Sequence, residues 1–213
     1  MIERPILFSG AMVKAIVAGR KFQTRRVCRH QHDNVWVEDR NGSPWMYGYD
    51  DAGNDGPVSS PYGESGTTLW VRETWYCDDY RVQKGPYTEV DGAKELLYYL
   101  ARDQVREGGR ECWTGFSGET MTPPWKPSIH MPRWAARIFL RVTGVRVERL
   151  QDIGEHDAVL EGVGTEVFGQ EGEPQSKSAR PAFARLWDSL NEKRGFGWSV
   201  NPLVWVIEFE RQS

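Results

Sequence analysis

Cysteine is scarce in this chain, whose 213 residues contain only three, Cys28, Cys77 and Cys112. Their number is odd and no CxxC pair occurs, so the sequence indicates neither a disulfide framework nor a thiolate zinc site. Long apolar runs are also missing, and the first residues lack the apolar core of a signal peptide. We therefore expect a soluble protein of a reducing cytoplasm, with no metal, no cofactor and no membrane partner.

Acidic residues are absent from residues 4 to 32, although the whole chain has a net charge of -3 at pH 7. Seven Lys and Arg residues lie in that stretch, and four of them fall within seven positions, namely Arg20, Lys21, Arg25 and Arg26. The pattern predicts a local basic surface that suits a phosphate or a nucleic-acid backbone, and a solvated cationic face is the alternative. The reverse holds over residues 152 to 173, which contain seven acids and no Lys or Arg.

Apolar spacing predicts a mixture of strands and helices. A short strand over residues 5–8 leads into a helix that Ser9 caps and Gly19 ends. A second, acidic helix is predicted over residues 155–161 with Asp152 as its cap, and the apolar stripe of residues 181–193 predicts a third helix. The remaining predicted strands cover residues 68–75, 95–101, 138–149 with a bend at Gly144, and 203–210.

The predicted fold class is α+β, with a small curled mixed sheet or barrel and helices at its rim. A hydrophobic content of 39% over this length favours one domain covering residues 1–213. Residues 33–67 are rich in Gly, Pro, Ser, Asn and Asp, and we interpret them as an irregular insertion of hairpin and loop. Residues 101–124 and 162–180 are predicted to be long loops.

Glu73 is the acid that the strand pattern singles out. Within the alternating residues 68–75 it falls on the same face as Leu69 and Val71. A carboxylate on an apolar face is costly without a partner that neutralises it. Two roles remain open for Glu73 at this point, a specific functional one and a structural ion pair with a nearby arginine.

Residues 19–26 read Gly-Arg-Lys-Phe-Gln-Thr-Arg-Arg and resemble the G-x-K-x-x-T-x-R signature of the ASCH domain family, which belongs to the PUA-like superfold of RNA-associated domains. The strands predicted at residues 69–75 and 204–209 support the resemblance. Residues 125–135 are similar to those of longer ASCH proteins from phages and prophages. The resemblance implies a PUA-like β-barrel with a cleft at the signature.

The resemblance also implies a chemistry. In ASCH amidohydrolases that remove the acetyl group from N4-acetylcytidine, the signature Lys and Thr act with a Glu that follows the W-V-R strand, and the matching positions are Lys21, Thr24 and Glu73. A threonine hydroxyl needs a base, and a neutral amine can serve. Burial and neighbouring cations would lower the pKa of Lys21 toward that condition. Glu73 would relay the proton to the leaving amine, and Arg26 or backbone N–H groups would stabilise the oxyanion.

Two other functions remain open. One is a non-catalytic module that binds RNA or single-stranded DNA, and the weaker one is a metal-assisted ribonuclease that uses Glu73 with Asp78 or Asp79. His130 could line the cleft or be a structural histidine. The residues predicted to bind substrate or nucleic acid are basic or aromatic, and comprise Arg20, Arg25, Arg26, Trp70, Trp75, His130, Arg133, Trp134 and Arg137.

Overall fold

The computed structural model combines many strands with few helices, which confirms the predicted α+β class. The structure describes residues 2–29, 31, 36–40, 43–49, 55–79, 82, 87, 89–103, 105–107, 110–114, 120–121, 124–164, 166–168 and 176–212.

The strands are numbered in chain order: β1 (Glu3–Leu7), β2 (Gln23–Val27), β3 (Trp36–Arg40), β4 (Ser43–Tyr49), β5 (Asp55–Val58), β6 (Thr68–Arg72), β7 (Trp75–Cys77), β8 (Leu97–Tyr99), β9 (Val105–Glu107), β10 (Arg110–Thr114), β11 (Thr120–Met121), β12 (Phe139–Arg149), β13 (Glu166–Phe168), β14 (Ser176–Ser178) and β15 (Leu203–Arg211). The α-helices of the described residues are α1 (Gly10–Val17), α2 (Leu100–Asp103), α3 (Glu155–Leu160) and α4 (Arg180–Asn191).

One five-stranded sheet forms the centre of the fold, in the order β1-β6-β12-β15-β2. β1 runs parallel to β6, and the other neighbours are antiparallel. Strand β15 pairs with β12 on one side and with β2 on the other, as expected for an apolar final strand at the centre of a sheet. The register of β12 shifts between Val142 and Gly144, at the predicted bend.

The two edges of this sheet approach each other. Arg26 lies in the edge strand β2, and its Nη2 donates a hydrogen bond of 2.5 Å to the backbone oxygen of Leu7 in the opposite edge strand β1. The described strands therefore form an open, curled sheet whose edges are one arginine side chain apart.

The segments predicted as an insertion or as loops contain short antiparallel strands. β3, β4 and β5 form one small sheet, β9, β10 and β11 another, and β13 pairs with β14. The prediction of loops over residues 101–124 and 162–180 was wrong at these strands. Strands of two to five residues carry too few side chains for an alternating apolar pattern to stand out from a polar, glycine-rich background.

The helix ends follow local chemistry at one site and depart from the prediction at another. Ser9 caps α1, since its Oγ accepts a hydrogen bond from the backbone N–H of Met12 at 3.4 Å, and Gly19 follows the helix with a φ of 63°. The predicted cap of α3 was wrong. Gly154 is its N-cap, while Asp152 lies in a separate 3-10 turn.

The described part of the chain contains no helix with the length and apolar character of a membrane span.

Apolar side chains cover both faces of the central sheet. Trp205 and Ile207 of β15 pack in one buried cluster with α1, while Val204 and Val206 of the same strand pack in another cluster with α3 and α4. A further cluster surrounds Trp75 beside β7 and β8. The edge strand β2 consequently has a helix near each of its two faces.

Candidate functional site

Two of the basic residues at 20–26 lie against the acidic helix α3 and its C-cap residue Glu161. Lys21 is 2% exposed. Its Nζ donates to the Oε2 atom of Glu161 at 2.8 Å and to the backbone oxygen of Glu161 at 2.7 Å. The two residues also form an isolated antiparallel bridge. Residues 140 positions apart in sequence are thereby joined in a buried ion pair.

Arg25 is neutralised in the same way. Its guanidinium donates to Glu148 at 2.5 and 2.9 Å, to Asp157 at 2.9 Å and to Glu161 at 3.1 Å. Its side chain has no exposed area. The predicted basic surface is therefore wrong for Lys21 and Arg25, because the acid-rich segment packs onto them. Arg20, by contrast, is exposed.

The surroundings shift the pKa of Lys21 downward. Burial lowers this pKa because the charged ammonium loses its hydration. The charge and hydrogen bond of Glu161 oppose the shift, and the charges of Arg26 and Arg25 reinforce it. The amine is thus held by a carboxylate in an enclosed site where its proton is less firmly bound than in water.

The backbone beside this ion pair has no room for a side chain. Gly162 has a φ of +83°, and a Cβ placed there would lie 2.8 Å from Cβ of Lys21 and 3.0 Å from Cβ of Ala15. A contact below 3 Å forces the neighbouring atoms to move, and a positive φ strains any residue with a Cβ. The glycine therefore fixes how closely Glu161 approaches Lys21.

We expect Gly162→Ala to lower the free energy of unfolding by about 2 to 4 kcal/mol, since strain and steric overlap add. The control is Gly66→Ala, because Gly66 has a φ of +89° with nothing within 4 Å of the added Cβ. The free energy of unfolding of that variant should fall by only about 1 kcal/mol, because its only cost is the positive φ of the backbone. Urea denaturation of both variants checks the difference, and equal losses would show that Gly162 is not sterically confined.

A pocket of about 300 Å³ lies along the edge of β2, between that strand and α4. Its polar lining combines a hydroxyl, a phenol, an amide, a carboxylate and three guanidinium groups, from Thr24, Tyr62, Asn191, Glu161, Arg25, Arg26 and Arg194. Its apolar lining consists of Met12, Val27, Phe183, Leu186, Trp187 and Leu190.

The strand register explains how consecutive residues of β2 reach one pocket. Thr24 lies opposite Ile207, on the face that α1 covers, whereas Arg25 lies opposite Val206, on the face that α3 and α4 cover. Alternate residues of a strand point to opposite faces. Because β2 is an edge strand, a pocket along its free side is lined from both faces.

Glu73 has a different partner. Its carboxylate is 1% exposed and accepts two hydrogen bonds from Arg137, at 2.8 Å from Nε and at 3.0 Å from Nη2. The guanidinium carbon of Arg137 also lies 4.7 Å from the centre of the Tyr99 ring. This pairing corresponds to the structural ion pair left open by the strand pattern. The carboxylate that hydrogen bonds to Lys21 is that of Glu161.

The predicted aromatic residues take different positions. Trp75 is fully buried, and its ring meets those of Tyr87 and Trp134 edge-on at centroid distances of 5.6 and 6.3 Å. Trp70 is also buried, with the guanidinium of Arg72 over its ring at 4.7 Å. These two rings pack inside the protein. Trp134 is half-buried, and its Nε1 donates to the backbone oxygen of Tyr87 at 2.7 Å.

A second concavity, an open groove of about 730 Å³, lies beside Trp134 and Arg133. Arg133 is exposed there, donates two hydrogen bonds to Glu3 at 2.6 and 2.8 Å and lies over the ring of Phe139 at 4.4 Å. His130 is exposed nearby, with its ring 6.4 Å from that of Tyr87. Four of the predicted binding residues line these two concavities, Arg25 and Arg26 in the β2 pocket and Arg133 and Trp134 in this groove. The other five line neither of them, and are Arg20, Trp70, Trp75, His130 and Arg137.

The acids proposed for a metal site are engaged in other contacts. Glu73 is bound by Arg137, and the hydroxyl of Tyr76 donates to Asp78 at 2.9 Å. Within the part of the chain that the structure describes, no three His, Cys, Asp or Glu side chains are grouped as metal ligands.

Three polar residues of the pocket were not among the predicted site residues, namely Glu161, Tyr62 and Arg194. For Glu161 a signal was present, since a stretch of acids without bases complements a stretch of bases without acids. Comparisons with protein-family models, with curated proteins and with solved structures found no match for this chain.

Proposed function

We propose that this chain is an ASCH-type protein of PUA-like fold that removes the acyl group from an N4-acylated cytosine nucleoside or nucleotide in the β2 pocket. The signature at residues 19–26 and the curled sheet with adjacent edges support the family and the fold. The activity rests on the contents of the pocket.

One observation carries the proposal. The hydroxyl-bearing Thr24 and the carboxylate of Glu161 line the same pocket, and Glu161 is in hydrogen-bonding contact with Lys21. A threonine becomes a nucleophile when a neighbouring group accepts its proton. The Lys21–Glu161 pair supplies both an amine with a lowered pKa and a carboxylate.

The reaction follows from these groups. The Thr24 oxygen attacks the acyl carbon, and its proton passes to the Lys21–Glu161 pair. The C–N bond then breaks, and the N4 atom takes that proton as cytosine leaves with a free amine. Water hydrolyses the acyl-threonine, which releases a carboxylic acid and restores the hydroxyl of Thr24.

Glu161 takes the carboxylate role that the family resemblance implies for Glu73. The reason is contact, since Glu161 hydrogen bonds to Lys21 at 2.8 Å whereas Glu73 is bound on two atoms by Arg137. Glu161 also lines the pocket that contains Thr24, and Glu73 does not.

The pocket suits a single nucleobase with its sugar. Its volume of about 300 Å³ is at the small end of the range for ligand sites. Phe183 and Trp187 belong to the buried core, whereas Met12, Leu186 and Leu190 supply more exposed apolar surface against which a base can pack. Asn191 supplies an amide that can donate and accept hydrogen bonds.

The test is incubation of the purified protein with a panel of N4-acylated cytosine nucleosides and 5′-nucleotides, followed by mass spectrometry. We expect loss of the acyl group from at least one member and formation of the free cytosine compound. An unchanged panel would refute the hydrolase.

The second candidate is a binding module for RNA or single-stranded DNA without catalysis. The exposed groove with Trp134 and the exposed Arg20 favour it, because single strands bind to aromatic and basic side chains together. In that case a labelled oligonucleotide binds with strong salt dependence, and no acyl group is lost.

A further inference from the structure

Two cations of the β2 pocket are not neutralised by the acids around it. Lys21 and Arg25 are paired with Glu161, and Arg25 also with Glu148 and Asp157, as described above. Arg26 and Arg194 form no ion pair within the described residues, although both line the pocket. Arg194 is exposed at the end of α4 and donates to the side-chain oxygen of Asn191 at 3.2 Å.

Arg26 is the more unusual of the two. Its Nη2 donates to Leu7, but its Nε is buried and has no hydrogen-bond partner among the described residues. Its guanidinium carbon lies 5.1 Å from the centre of the Phe8 ring. Arg26 is partly buried, and a charge that has lost part of its hydration is stabilised by an anion beside it.

The electrostatics around Arg26 favour an anionic ligand. Burial lowers the pKa of Arg26, and the nearby positive charge of Arg194 lowers it further, while Tyr62 and Glu161 act in the opposite direction. Two cations that repel each other across one pocket are stabilised together by a ligand with negative charge.

We infer that the ligand of this pocket carries a phosphate group, which lies between Arg26 and Arg194 while the base lies against the apolar side chains of Met12, Leu186 and Leu190. Guanidinium groups are suited to phosphate because their N–H donors match its oxygens in pairs. The identity of the base rests on the proposed function, whereas the phosphate rests on the two arginines. The substrate is then a nucleotide and not a free nucleoside, and Arg26 serves phosphate binding in place of the oxyanion.

The test is calorimetric titration of the full chain with cytidine, 5′-CMP and ribose 5-phosphate. Charge-assisted hydrogen bonds to two arginines should make 5′-CMP bind roughly 10- to 100-fold more tightly than cytidine. Ribose 5-phosphate should compete with 5′-CMP, which shows phosphate recognition independently of the base. A trinucleotide with a central cytidine, added as a competitor, distinguishes a phosphodiester of a strand from a free nucleotide.

The variants are Arg194→Gln, Arg26→Gln and, as a matched control, Arg185→Gln, because Arg185 is exposed on α4 and does not line the pocket. Arg194→Gln should remove most of the preference for 5′-CMP, and Arg185→Gln should leave it intact. Because Arg26 also joins the sheet edges, Arg194→Gln decides the matter if Arg26→Gln fails to fold.

Equal affinity for cytidine and 5′-CMP would overturn the phosphate site while leaving the hydrolase proposal in place. A preference that survives Arg194→Gln and Arg26→Gln would also overturn it. If the preference depends on these arginines but no acylated compound is hydrolysed, the proposed activity fails and the phosphate site stands.

Discussion

Thr24→Val should lower kcat for deacylation by roughly 10³-fold or more, since removal of a nucleophile abolishes the covalent route and leaves only binding effects. Valine keeps the branched shape that suits strand β2, and Thr24 is only 2% exposed, so packing there is largely preserved. The measurement is the steady-state rate of acyl loss by wild type and variant at saturating substrate.

The matched control for this result is Thr24→Ser, which keeps the hydroxyl and should retain measurable turnover. Thermal unfolding of both variants reports whether the fold is intact. If Thr24→Val hydrolyses the substrate as fast as Thr24→Ser, the hydroxyl is not the nucleophile.

The second large effect concerns stability. Glu161→Gln should lower the free energy of unfolding by about 3 to 5 kcal/mol, because it leaves the buried ammonium of Lys21 without a counter-charge. Lys21→Met should cost less, about 2 to 3 kcal/mol, because Arg25 still pairs with Glu161 at 3.1 Å. The side chains of Lys21 and Glu161 are 0% and 3% exposed. The double variant should lose less than the sum of the single losses, and denaturation in urea of all four proteins measures this coupling.

An exposed ion pair of similar length provides the comparison. Lys94 and Glu89 are 2.8 Å apart, with side chains 62% and 48% exposed. Lys94→Met should change stability by less than about 1 kcal/mol, as is usual for solvated pairs. A loss at Lys21→Met no larger than that at Lys94→Met would mean that the Lys21–Glu161 pair is not the buried contact described above.

Local chemistry predicted those parts of the fold that depend on near neighbours in sequence. The cap at Ser9, the stop at Gly19 and the bend at Gly144 each follow from one residue type at one position. The apolar stripe of residues 181–193 likewise predicted α4, which spans Arg180–Asn191.

The sequence did not predict which residues form contacts with partners that are far away along the chain. Any of seven acids over residues 152–173 satisfied the charge pattern, and only the approach at Gly162 selects Glu161 for Lys21. Glu155 is a similar case. Its carboxylate accepts a hydrogen bond from the backbone N–H of Ala179 at 2.7 Å, next to the start of α4, which no local pattern indicated.

Glu73 shows both what the strand pattern can predict and where it stops. The strand β6 ends at Arg72 and buries Thr68, Leu69, Trp70 and Val71 alike, so the predicted alternation was wrong and Glu73 follows the strand. The expectation that a carboxylate in this apolar setting has a partner was confirmed, and Arg137 is one. The pattern could not identify that arginine, because the two residues are 64 positions apart and meet only after β6 and β12 have paired. The choice between Glu73 and Glu161 at the site is therefore a question of tertiary geometry.

The proposed reaction begins when the hydroxyl of Thr24 attacks an acyl group within the β2 pocket. Its most direct test is rapid acid quenching of the wild-type protein during turnover of N4-acetylcytidine 5′-monophosphate, followed by peptide mass spectrometry. We expect a transient acetyl group on the side-chain oxygen of Thr24, detected in the peptide that contains this residue. Turnover that proceeds with no acetylated intermediate at Thr24, or with the acetyl group on Lys21, would contradict it.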